Sequence, residues 1–120
     1  MIAIGIGCRK GVRKEAVVSI VAEALARTDL RGKTAELFTF EGKKEEAGLA
    51  AAAAALEMPL MFLSRDALRA VSDRIVTPSA AANEALGIPS VAEASALAGC
   101  GKSAYLLLPR ISGDGVTCAI

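Results

Sequence analysis

Histidine and tryptophan are both missing from this chain of 120 residues, and aromatic residues make up only 3% of it. Without histidine, Ser-His-Asp hydrolysis, Cys-His proteolysis and any His-ligated metal site cannot be built from this chain alone. Cysteine is scarce as well. Cys8, Cys100 and Cys118 are an odd number with no Cys-x-x-Cys pair, so neither a zinc knuckle nor a thioredoxin-type redox pair is indicated. Buried or half-buried thiols in a reducing, cytoplasmic setting are the simplest reading. An excess of one charge is also lacking: 14 Lys and Arg stand against 13 Asp and Glu, a net charge of +1. That balance argues against a general nucleic-acid binder, although a local basic patch is compatible with it. The apolar start at residues 1–7 is far too short for a signal peptide or a membrane span, and so is the Ala-rich stretch at 49–56. The expectation is a soluble, cytoplasmic protein with no membrane or nucleic-acid partner.

What is present is a globular composition. Hydrophobic residues make up 53% and charged residues 22%, which excludes a disordered tail. The length suits a single domain over residues 1–120 with a core large enough to be stable alone. Residues 2–6 form a continuous apolar run with β-branched Ile2, Ile4 and Ile6, as expected of a strand covered on both faces. After Gly5, Gly7 and Gly11 a helical period begins, with Val17, Ile20, Val21, Ala24 and Leu25 on one stripe. Residues 34–40 and 60–63 read as strands, and residues 47–56 as a helix. Ser64 reads as the N-cap of a helix through Leu68 and Val71, and Ser79 as the cap of another ending at Gly87. Ser90-Val91-Ala92-Glu93 fits a capping box, in which the hydroxyl serves an amide three residues on and the Glu reaches back. Residues 105–108 and 116–120 are expected to close the fold as a hairpin. Alternating strands and helices predict a three-layer α/β/α domain, its sheet mixed and mostly parallel with an antiparallel C-terminal strand pair.

The segment Gly5-Ile6-Gly7-Cys8-Arg9-Lys10-Gly11 is the strongest candidate for chemistry. Glycines between strand and helix let the backbone approach a ligand, free amides at a helix start attract an anion, and Arg9 and Lys10 add charge. The third glycine comes one residue late for the dinucleotide fingerprint, and a tight strand-to-helix turn is the alternative reading. Cys8 is a candidate nucleophile at a helix start or a small packed thiol. The run Lys43-Lys44-Glu45-Glu46 offers a cation and a carboxylate to a cleft, or is a solvated helix start. Lys102 and Arg110 flank the expected Tyr105 strand as surface charges. No cofactor or metal site is indicated.

Taken together, the glycine segment, Lys43 with Glu46-Ala47-Gly48-Leu49, Phe62-Leu63-Ser64, Gly87-Ile88-Pro89-Ser90-Val91-Ala92-Glu93-Ala94 and Gly115-Val116-Thr117-Cys118-Ala119-Ile120 resemble the CobE family. That family is also the C-terminal domain of the cobalamin-biosynthesis protein CbiG. The resemblance runs through the whole chain, with one departure: Arg110 stands where the family's Lys is expected, a bidentate fork in place of a point charge. It implies a role in making the corrin ring of vitamin B12. The first expectation is a CobE-type protein that binds a precorrin or corrinoid intermediate by its carboxylates, with Gly5, Gly7, Cys8, Arg9, Lys43 and Arg110 as the contact set. The second is a hydrolase of a precorrin lactone releasing a two-carbon fragment, with Glu46 as general base and Arg9 or Lys43 stabilising the oxyanion. A third is a module that docks on another cobalamin-pathway enzyme.

Overall fold

The computed structural model describes residues 1–79, 86–101 and 103–120. In chain order these form β1 (Ile2–Cys8), α1 (Lys14–Ala26), β2 (Ala35–Phe40), α2 (Ala47–Leu56), β3 (Leu60–Leu63), α3 (Arg65–Arg69), α4 (Val91–Cys100), β4 (Ile111–Ser112) and β5 (Val116–Ala119). The five strands make one sheet in the order β3-β2-β1-β5-β4. β1 pairs with β2, and β2 with β3, in parallel, whereas β5 runs antiparallel to both β1 and β4. The expected mixed α/β architecture with an antiparallel C-terminal pair is the one found. The helix expected from Ser79 to Gly87 falls mainly on residues 80–85, and Lys102 also lies outside the described residues.

Strand β1 is central, and its two faces are unequal. Ile2, Ile4 and Ile6 point to one side and pack with Val17, Ile20, Val21 and Ala24 of α1 and with Leu49, Ala52 and Ala53 of α2. Successive side chains alternate across a strand, so Ala3, Gly5 and Gly7 share the opposite face. There α4 lies against the sheet, with Ala92 and Ala96 packed on Ala119 of β5. Farther along, Leu68 of α3 and Ala94 of α4 join Ile88 in a second cluster on this side.

The glycines therefore act differently from the sequence expectation. Gly5 and Gly7 do not form a loop after the strand; they lie within β1, which runs on to Cys8. A Cβ on Gly5 would overlap the carbonyl oxygen of Ala92 and stand 2.6 Å from Ala96 N, and one on Gly7 would stand 2.7 Å from the Thr117 hydroxyl. At the other end of the helix, a Cβ on Gly99 would come within 2.7 Å of the Phe38 ring. The missing side chains let the helix backbone rest on the strand.

The closing hairpin also differs. β5 pairs not with residues 105–108 but with the short β4, Ile111 opposite Cys118 and Ser112 opposite Thr117. Residues 105–108 meet β5 only at its end, where Leu107 N and Leu108 N donate to Ile120 O at 2.7 and 2.9 Å. Pro109 has no N–H to continue a ladder and turns the chain before β4. The turn itself closes through Gly115, at φ +73°, with Gly113 N donating to Val116 O at 2.8 Å. An ion pair of 2.6 Å from Arg13 to Asp114 links this turn to the start of α1.

Two glycine substitutions should separate close packing from turn geometry. Gly5→Ala should destabilise the domain by about 3 kcal/mol, because the backbone of α4 has to move. Gly32→Ala, at φ +74° with nothing within 4 Å of a new Cβ, should cost only about 1 kcal/mol. Urea unfolding of the two variants measures the difference.

Candidate functional site

At Gly5 the central strand changes partners. Its pairing with β2 ends at Gly5 opposite Phe38, and its pairing with β5 continues from Gly5 to Cys8. β2 carries on beside β3 to Phe40 opposite Leu63. Beyond Gly5 and Phe38, then, β1 and β2 are no longer in ladder contact, and the buried Thr39 hydroxyl donates to Ile6 O at 2.7 Å. A cavity of about 600 Å³ opens where the strands part, at their carboxyl ends. This is where open α/β sheets place their ligands.

Each wall comes from a different element. The end of β1 supplies Gly7, Cys8 and Arg9; the end of β2 and the 3-10 turn Glu41–Lys43 supply Phe40, Gly42 and Lys43. Ser90 and Val91 come from the start of α4, Arg110 and Ser112 lead into and form part of β4, and Val116 and Thr117 come from β5. Of the residues expected from sequence, Gly7, Cys8, Arg9, Lys43 and Arg110 share this wall, whereas Gly5 lies beneath α4. Glu46 is not on the wall either. Its Oε1 accepts the Gly11 N–H at 2.8 Å, and Glu46 itself precedes α2 without capping it by a side-chain hydrogen bond.

The helix start that borders the cavity belongs to α4, not to α1, which begins only at Lys14. Arg9 N is also engaged, donating to Gly115 O at 2.9 Å. Ser90 is legible in the sequence as a cap but not as a wall of the site, since the cap pattern carries no information on what lies across the sheet. Among the described lining residues there is no Asp or Glu. Among the described residues, no cluster of three or more Cys, Asp and Glu side chains is placed to hold a metal ion.

Comparison with known proteins bears on this geometry. Residues 2–120 match the family described as Cobalamin synthesis G C-terminus. The chain belongs to that family. Protein CobE of Sinorhizobium sp is 28% identical over 120 residues, covering 99% of this chain and 78% of its own length. A probable cobalt-precorrin-5A hydrolase of Methanocaldococcus jannaschii is 28% identical over 128 residues, but this chain spans only 40% of its length. The crystal structure of CobE, from the cobalamin (vitamin B12) biosynthetic pathway, superposes with a TM-score of 0.87 at 35% identity, covering 99% of this chain and 87% of that one. The cobalamin biosynthesis protein chiG of Agrobacterium tumefaciens follows at a TM-score of 0.73 and 33% identity, covering 99% and 95%. This is accordingly a cobalamin-biosynthesis protein of the CobE/CbiG type. Among its described residues no helix is long and apolar enough to cross a membrane.

Within this family fold, Glu93 does not do what the capping-box pattern predicts. Ser90 Oγ does accept the Glu93 N–H, at 3.2 Å. The carboxylate, fully buried, does not return to the cap. Its Oε1 instead accepts the N–H groups of Val76 and Thr77 at 2.7 and 3.0 Å, and its Oε2 accepts that of Arg110 at 2.8 Å. Burial pushes this carboxyl up, but the amides of Arg110, Thr77 and Val76, with the Thr77 hydroxyl, outweigh it and hold it below the usual carboxylate range. The folded state thus favours the ionised form. The stability gained is complete above the unfolded-state value of about 4.3 and is lost as the pH falls through the lower folded-state value.

The thiols are tuned the opposite way. Burial pushes Cys8 up, Lys43 draws it down and Glu46 adds to the rise, leaving it above its ordinary value. A protonated thiol is a weak nucleophile, so the packed-thiol reading of Cys8 is favoured. Cys118, deep in the core, is pushed up to about 12 by burial and by Glu23.

Two measurements test these assignments. Acid titration of unfolding free energy should show Glu93→Gln already destabilised by about 1–3 kcal/mol at neutral pH, with a shallower loss below pH 4.3 than the parent chain. With a thiol reagent at pH 7.5, the exposed Cys100 should react at once and Cys8 slowly, with Cys8 accelerating above its usual pKa of about 8.5. Cys118 should react only on unfolding, as read by mass spectrometry of labelled peptides.

Proposed function

We propose that this chain binds a precorrin or corrinoid intermediate through its peripheral carboxylates, in the cavity at the carboxyl ends of β1 and β2. The observation that carries the reading is the lining itself: Arg9, Lys43 and Arg110 on one concave wall, with no carboxylate among the described lining residues to neutralise them. Three cations from three separate elements suit a ligand with acid groups spaced around a ring, and each charge-assisted hydrogen bond contributes about 1.5–3 kcal/mol. The start of α4, with Ser90, adds the partial positive charge of a helix N-terminus. Phe40, Leu86, Val91 and Val116 supply apolar surface for the macrocycle. A volume of about 600 Å³ is in the range of sites for small organic ligands.

The same observations support binding over lactone hydrolysis. Water activation calls for a general base within reach of the bound ligand. Glu46, the candidate for that role, is engaged with the Gly11 amide and stands off the wall. The hydrolase relative carries more than half of its length outside the region matched here.

Titration with hydrogenobyrinate, a corrin with free carboxylates, followed by its visible spectrum, tests the proposal. Saturable spectral change at micromolar concentration is expected. Arg9→Ala, Lys43→Ala and Arg110→Ala should each weaken binding by roughly tenfold, an effect of about 1.4 kcal/mol, and added salt should weaken the parent complex. No spectral change and no co-elution would reject the binding claim, and a two-carbon loss seen by mass spectrometry on incubation with a lactone-bearing precorrin would turn the reading to hydrolysis.

A further inference from the structure

We propose that Glu93 is a positioning residue of this anion site, holding Arg110 and the segment at residues 76–79 in their ligand-ready places before any ligand arrives. The inference rests on the reading of the cavity as a carboxylate-binding site. Its basis is the geometry of one buried side chain that serves two separate pieces of the rim.

Val76 and Thr77 precede Ser79 on the cavity wall, and Arg110 lies on the far side of α4 in sequence. Among the described residues neither segment has a ladder that would fix it: Arg110 comes just before the first pair of β4, and residues 76–79 lie outside any helix or strand. Their backbone N–H groups converge on the two oxygens of Glu93, at 2.7, 3.0 and 2.8 Å. Ser79 N is then held by Pro89 O at 2.7 Å, so the start of α4 and the residue preceding its cap secure this segment at both ends.

A helix start needs none of this. Ser90 provides the side-chain cap of α4, and a carboxylate that only supported it would turn back to the cap amide. Here a fully buried carboxylate is kept away from that role and given to amides outside the helix. Burying a charge is costly, and one well-attested use for it is to fix a single geometry. The geometry fixed here is that of the Arg110 backbone, which leaves the guanidinium fewer arrangements to lose on binding. Preorganisation of this kind raises affinity without adding a contact.

The test is a double-mutant cycle on the full chain with hydrogenobyrinate as probe, each variant used at a temperature where circular dichroism shows it folded. Glu93→Asp is too short to reach both segments, and Glu93→Gln lacks the charge. Each should weaken binding about tenfold, and that loss should shrink when Arg110 is already Ala, what remains being the share carried by residues 76–79. Val21→Ala, which opens the core on the opposite face of the sheet, should lower stability and leave affinity within about twofold. Glu93 variants that bind like the parent, or a loss that adds in full to that of Arg110→Ala, overturns the positioning role while leaving the anion site intact. If Arg9→Ala, Lys43→Ala and Arg110→Ala all bind like the parent, it is the anion site that fails. Should neither Glu93 variant fold, amide exchange of the parent chain decides. Val76, Thr77 and Arg110 should be protected without ligand, and protection that appears only on adding hydrogenobyrinate overturns the proposal.

Discussion

The contact between α4 and the glycine face of β1 is the constraint from which the rest of this structure follows. A helix can come this close to a strand only where the strand offers hydrogen atoms instead of side chains, and Gly5 and Gly7 do so beneath Ala92 and Val91. The other face of the same strand carries isoleucines that pack with α1 and α2. Because side chains alternate, a shift of one residue would exchange these faces, putting isoleucine under α4 and glycine into the main core. One strand therefore fixes both its own register and the depth at which α4 sits. With that depth set, the start of α4 arrives at the point where β1 leaves β2, and Ser90 and Val91 become part of the cavity.

The site inherits its character from that arrangement. β1 ends in Cys8, with Arg9 next to it at the rim, and the turn after β2 brings Lys43 to the same place. Arg110 comes from the opposite direction of the chain, held by a carboxylate on the helix that the glycines admit. None of these cations is near another in sequence. A net charge of +1 spread over the whole molecule thus coexists with a concave surface of one sign. Such local fields, not net charge, govern recognition at short range, since screening weakens interactions between exposed charges beyond about 8–10 Å.

Much of this was legible in the residues. The periodicity of α1, the Ala-rich α2, the caps at Ser64 and Ser90 and the parallel-then-antiparallel sheet all follow from local patterns, and each is present. The misreadings have a common origin in tertiary contacts that leave no local signature. Gly-x-Gly looks the same whether it bends a loop toward a ligand or flattens a strand beneath a helix. The choice depends on Ala92 and Ala96, more than eighty residues away. Only the Ser90 half of the capping box forms, because Ser90 acts within its own turn, whereas Glu93 answers to amides of segments that only the folded chain brings together. The hairpin was displaced because residues 105–108 have the apolar character of a strand, and Pro109 breaks the ladder before it forms. Arg9, Lys43 and Arg110 were legible as candidates because loops after strands face one end of an open α/β sheet.

Gathering cations from several elements has a consequence for selectivity. A continuous basic stretch would attract any polyanion, since a flexible chain of charges adapts to whatever it meets. Here the three positive groups stand just after a β-strand end, on a 3-10 turn and on a residue whose backbone N–H is held by Glu93, so their backbone separations are set by the sheet and the helix packed on it. A ligand gains the full attraction only if its own acid groups match those separations; one that does not leaves a guanidinium or ammonium partly desolvated and unpaired, at a cost. The apolar side chains between the cations sharpen this choice, because a compact, highly hydrated anion gains nothing from them while a macrocycle with acid arms gains from both. Discrimination in such a site comes from the spacing of charge on an apolar floor, and that spacing is what the glycine seam of β1 and the buried Glu93 carboxylate hold in place.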